Sequence, residues 1–164
     1  MLDFFTTILT NQFEASLAML GQCIERCPAK HWNGKIVKYE FWHVAYHTLY
    51  CTDMYLAPNF DSFVPCEFLP GGIADIMDEY PSRETTKTEL AGYVALVHQR
   101  AIDRLAAETE ESLQRPAEYD WLPPMSRGEL HILSVRHLAH HTGQLGAYLR
   151  RVGVETEWVK SGWE

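Results

Sequence analysis

The chain predicts an all-α protein: a four-helix bundle with a long crossover between its second and third helices. Four long stretches repeat apolar residues at helical steps, and no segment alternates convincingly with the period of a strand. Proline- and glycine-rich breaks separate the stretches. The 164 residues, 46% hydrophobic and 12% aromatic, suit a single domain over residues 1–164 that closes one packed core.

The first helix covers roughly residues 2 to 27 and stops before Pro28, with Phe5, Ile8, Phe13, Leu17, Leu20 and Ile24 as its apolar positions. The second covers 39 to 56, YEFWHVAYHTLYCTDMYL, and ends near Pro58; its start lies between Asn33 and Tyr39. It is apolar almost all round, as a helix buried on most sides should be. The connection from Ala57 to Thr85 carries Pro58, Pro65, Pro70, Gly71, Gly72 and Pro81, with a short helix expected around Ile73 to Met77. So long a link implies a crossover or a lid.

A capping box, Thr86-Lys-Thr-Glu89, opens the third helix, which should run to about Gln114 before Pro116. Its acidic second half, DRLAAETEESLQR, is expected to face solvent. After the turn-rich PAEYDWLPPM, a second box, Ser126-Arg-Gly-Glu129, opens the fourth helix. Arg150 and Arg151 favour its C-terminal dipole, and Gly153 caps it. Trp158 and Trp163 in the tail should pack on the helices or on a second copy.

The balance of 22 acidic against 14 basic residues, a net charge of −8, argues against nucleic-acid and anionic membrane partners. Asp3 sits where a secretory leader would carry positive charge, and no uncharged apolar run reaches the roughly 18 residues of a membrane span. We therefore expect a cytoplasmic protein whose cysteines (Cys23, Cys27, Cys51, Cys66) are reduced. The i,i+4 spacing of Cys23 and Cys27 is not that of a zinc knuckle.

Eight histidines are unevenly spread, and His137, His140 and His141 fall within five residues. At about 100° per residue, Leu130, His137, His141 and Tyr148 share one face of the fourth helix, flanked by Leu133 and Leu145. Two imidazoles thus occupy a stripe that should be apolar. Burying them unpaired is costly, and at i,i+4 they can share one cation. A tetrahedral ion needs a further ligand from a facing helix. The second helix offers His43 and His47, on one stripe with Tyr39, Tyr50 and Met54; His47 is nearer the middle. Three histidines would leave one position open for water or substrate. His140 lies off the stripe and should be partly exposed. His31, His98 and His131 read as surface or cap residues. Tyr50, Asp53, Gln144 and Tyr148 are candidates to support the site.

The segment HLAHHTGQLGAYLRRVG resembles the C-terminal signature of the DinB/YfiT-like superfamily: His-x-x-x-His, then Gly-Gln-Leu, then Leu-Arg-x-x-Gly. FWHVAYHTLYCTDMYL resembles that family's second-helix block, and CPAKHWNGK its link around Trp32. The likeness implies a left-handed four-helix bundle and a metal held by one histidine of helix two and two of helix four. It carries these roles onto His47, His137 and His141, with His43 as the alternative in helix two. It further implies zinc or nickel, with iron or manganese also within range, no other cofactor, and a homodimer. Some relatives transfer mycothiol, bacillithiol or glutathione to a small molecule. The resemblance thus favours a metal-dependent thiol S-transferase acting on a small electrophile. A non-catalytic metal-binding or stress-related protein, and a metal-dependent hydrolase, are the other readings. The catalytic base is unassigned.

Overall fold

The structure is a computed structural model and describes residues 1–66 and 83–163. It is mostly helical. The elements are α1 (Leu2–Arg26), a 3-10 turn (Ala29–His31), β1 (Lys35–Ile36), β2 (Tyr39–Glu40), α2 (Phe41–Leu56), α3 (Lys87–Ala107), α4 (Glu110–Gln114) and α5 (Arg127–Arg151). No helix of the described residues is long and apolar enough to cross a membrane.

The packing order differs from the chain order. Both α1 and α2 lie along α3 and α5, while α1 and α2 touch each other little. The core is therefore shared by four long helices, and its largest enclosed side chains include Phe13, Phe41, Tyr46, Tyr50 and Tyr93. In α1 the buried stripe is Leu9, Phe13, Leu17, Leu20 and Ile24. Ile8, expected inside, points outward, and Leu9 takes the place one step round the helix. Nearly every residue of α2 is buried, as its uniform apolarity predicts.

Local chemistry sets the ends. Thr86 and Glu89 form the expected reciprocal capping box at the start of α3. Ser126 Oγ accepts the Glu129 amide at the start of α5. Beyond α5, Gly153 takes a left-handed φ of 81°. Its amide bonds Arg150 O and the Val154 amide bonds Leu149 O, the paired closure of a Schellman motif. Lys87 Nζ donates to Glu25 O and Cys27 O, satisfying carbonyls at the end of α1.

Four expectations need correcting. Helix three stops at Ala107 rather than near Gln114, because Thr109 and Ser112 form a capping box of their own and start α4. The acidic stretch there is only partly solvated. Glu108 is buried, where it receives Arg127 Nε at 2.6 Å and His131 Nε2 at 3.1 Å and accepts from Ser112 Oγ. His131, expected at the surface, is 0% exposed for the same reason. Lastly, a two-stranded hairpin, Lys35–Ile36 against Tyr39–Glu40, precedes α2, which begins at Phe41. The expected short helix at 73–77 lies outside the described residues.

The link into α2 is held tightly. Trp32 Nε1 donates to Thr85 O at 2.9 Å, joining the link to the segment before α3. Gly34 lies so close to Tyr148 of α5 that a Cβ there would sit 1.8 Å from the phenolic oxygen. The tail crosses α1: Arg26 pairs with Glu157, Gly162 N donates to Asn11 O, and Trp163 stacks on His98 at 3.9 Å. Trp158 is exposed.

Candidate metal centre

α2 and α5 run against each other, and their facing stripes bring three imidazoles together. His47, His137 and His141 each offer one nitrogen, and the three nitrogens lie within 4.8 Å of one another. All three side chains are half-buried. The closest approach is His137 Nε2 to His47 Nε2, at 3.3 Å. That spacing fits a shared ion: two nitrogens each about 2.0–2.1 Å from a tetrahedral metal lie roughly 3.3–3.4 Å apart. It is long for a direct hydrogen bond. His137 Nδ1, on the other side of its ring, is buried without a hydrogen-bond partner.

The cluster is set up to be neutral. Burial, reinforced by the neighbouring histidines, pulls His47 down to about 4 and His137 down to about 3. His141 is lowered as well, chiefly by burial. At neutral pH the rings therefore carry free lone pairs, the form in which imidazole ligates. His141 is further fixed by Gln144: its Nδ1–H donates to Gln144 Oε1 at 2.9 Å, which leaves the Nε2 lone pair free. The Gln144 amide in turn donates to Nε2 of His140 at 3.2 Å. His140 is exposed. Gln144 is thus the residue that orients His141 from outside.

Of the remaining candidates, His43 stacks on Trp42 and meets the edge of Tyr39, and it is not in the three-nitrogen cluster. Asp53 serves another purpose: it accepts from Tyr93 Oη at 2.9 Å and from Arg100 at 2.6 Å, tying α2 to α3. Tyr50 packs on Tyr46 and Phe63. The Tyr148 hydroxyl lies 3.3 Å from His31 Nδ1.

One neighbour escaped the sequence reading. Cys51 Sγ lies 3.8 Å from both ring nitrogens of His47, one turn on along α2. The i,i+4 spacing of His47 and Cys51 along α2 is the sequence signal for this contact. Burial pushes this thiol up to about 12, so in the metal-free chain it stays protonated at neutral pH.

Beside the histidines opens a cleft of about 440 Å³, lined by residues 36–39 of the hairpin and by His43, Val44, His47, His141 and Gln144. His47 and His141 form part of its wall. A short hairpin whose turn lacks glycine or asparagine gives almost no pattern to detect, so the sequence reading missed this wall.

A mostly helical protein in which two packed helices bring three histidines together has an architecture compatible with metal binding. The model of the DinB superfamily matches residues 12–145, from the middle of α1 to beyond His141. The chain belongs to the DinB superfamily. No curated protein and no solved structure matches it.

Proposed function

We propose that the chain is a cytoplasmic metal-dependent S-transferase that joins a low-molecular-weight thiol to a small electrophile. In this reading it is one DinB-like four-helix bundle over residues 1–164, with its crossover between α2 and α3. The observation that carries the proposal is the 3.3 Å approach of His47 and His137 Nε2 beside an open cleft, with His141 completing a neutral set. His47, His137 and His141 are the ligands. Zinc or nickel suits three imidazoles, and iron or manganese is within reach of the same set.

A divalent ion held by three neutral ligands supplies a net positive centre with a position left over, which favours a thiol in its deprotonated form. The chain's own residues do the rest. Gln144 holds the His141 ring in the ligating tautomer. The cleft holds the electrophile against His47 and His141. In the transfer, sulfur bonds to the electrophilic carbon as that carbon's bond to the leaving group breaks. The leaving group departs with the electron pair, and the thiol proton passes to solvent.

Elemental analysis of purified and reconstituted protein tests the site: about one metal per chain is expected from one complete three-histidine set. His137→Ala and His141→Ala should lose the metal and keep the helical circular dichroism. Assays of metal-loaded protein with alkylating electrophiles, run with and without glutathione, bacillithiol or mycothiol, separate the outcomes. Thiol-dependent consumption supports transfer, thiol-independent consumption supports hydrolysis, and none supports a binding protein. Light scattering reads the homodimer that the family likeness implies.

A further inference from the structure

The hairpin that walls the cleft carries a residue its backbone does not favour. Lys35 pairs with Glu40 and Ile36 with Tyr39, so Val37 and Lys38 form a two-residue turn. Such turns place a positive φ at their first central position, where glycine, asparagine or aspartate fits. Val37 occupies it with φ 58°, the sole non-glycine residue with positive φ among the described residues. A β-branched side chain is among the worst suited to that conformation. Val37 is also 97% exposed, so its methyl groups add almost nothing to the core. It lines the cleft together with Ile36, Tyr39 and Val44, and the same cleft is lined by His47 and His141.

We infer that Val37 is a specificity-determining contact, and that the electrophile taken by this cleft is a small molecule with an apolar carbon skeleton. The identification of that molecule as an electrophile rests on the proposed function; its apolar character rests on the hairpin. Backbone strain at an exposed apolar residue persists where a bound partner gives the side chain a use. Here the use is burial: a skeleton lying between the hairpin and α2 covers Val37, Ile36 and Val44 while one end reaches the histidines. A cleft of about 440 Å³ lies within the size range of small-molecule sites.

The test is a fluorescence titration of metal-loaded protein with N-phenyl-1-naphthylamine, a neutral apolar probe, comparing the natural chain with Val37→Gly. Glycine relieves the turn and removes the contact, so stability and binding should move in opposite directions. We expect a Tm that is unchanged or higher, and a Kd raised roughly tenfold from the loss of one buried valine side chain. An unchanged Kd, or a lowered Tm, overturns the inference. Metal content and thiol transfer are measured on the same preparations. If transfer fails while Val37→Gly still weakens the probe, the proposed reaction falls and the apolar site stands. If transfer holds and the probe is indifferent to Val37, this inference alone falls.

Discussion

Gln144 Oε1 accepts the Nδ1–H of His141 at 2.9 Å, one turn further along the same helix face. The bond settles which nitrogen of His141 is available to a metal, and it does so before any ion binds. Replacing such an orienting partner typically costs 10- to 100-fold in metal affinity. Gln144→Leu should therefore weaken zinc binding by about that factor in a competition titration with a chromophoric chelator, and Gln144→Glu should largely retain it. Equal affinity in the leucine variant would remove Gln144 from the site.

The three histidines also set an acid limit. His47 and His137 are held at about 4 and about 3 in the folded chain, against an ordinary 6.5. Below 6.5 the unfolded chain takes up protons that the fold refuses, so stability is full above pH 6.5 and falls from there toward pH 3–4. Metal-free protein should show this decline in urea midpoints measured between pH 7 and 4.5. His137→Asn should flatten it. Metal-loaded protein should decline more steeply, because protons also displace the ion.

A second window, lower in pH, belongs to Glu108. Burial would raise this carboxyl, yet the bonds from His131, Ser112 and Arg127 together bring it down to about 2 from an ordinary 4.5. Its contribution is present above pH 4.5 and is lost as pH falls toward 2, on the order of 3 kcal/mol in all. Glu108→Gln should remove that portion of the acid-unfolding curve and leave the contribution of His47 and His137 unchanged.

Arg127 joins this carboxylate to the end of α2. Beyond its bond to Glu108, it donates to Leu56 O at 3.0 Å and Ala57 O at 2.7 Å, the carbonyls that the helix leaves open. Arg127→Met would take the only full positive charge from a buried carboxylate that keeps His131 and Ser112, and would leave Leu56 O without its side-chain donor, costing about 3–5 kcal/mol in chemical denaturation. Adding Glu108→Gln to it should recover part of the loss, the coupling expected of partners in direct contact.

Gly34 gives a packing test. A methyl group there would overlap the Tyr148 hydroxyl at 1.8 Å, and Tyr148 is itself held near His31. Gly34→Ala should destabilise the protein by about 1–3 kcal/mol. The double change Gly34→Ala with Tyr148→Phe should recover only part of this in thermal melts, because the ring Cζ, at 2.7 Å, and His31 O, at 3.0 Å, still crowd the added methyl.

The helices and most of their ends could be read from the chain because their causes are local. Apolar repeats place α1, α2, α3 and α5, while Thr86, Ser126 and Gly153 mark their boundaries with their own side chains or backbone freedom. The same periodicity put His137 and His141 on one face, since a helix fixes that relation by itself. Which residue of α2 they meet was not local. Both His43 and His47 fit the sequence, and the axial offset between α2 and α5 brings His47 into the cluster while His43 stacks on Trp42. Glu108 and His131 read as separate surface residues because nothing in the sequence ties the end of α3 to a position in α5. Only the packing of those helices ends places their charges together. The hairpin was lost for a related reason: two-residue strands carry too little pattern to be seen. Val37 sits where its turn would favour glycine, and only the cleft beside the histidines gives that position a use.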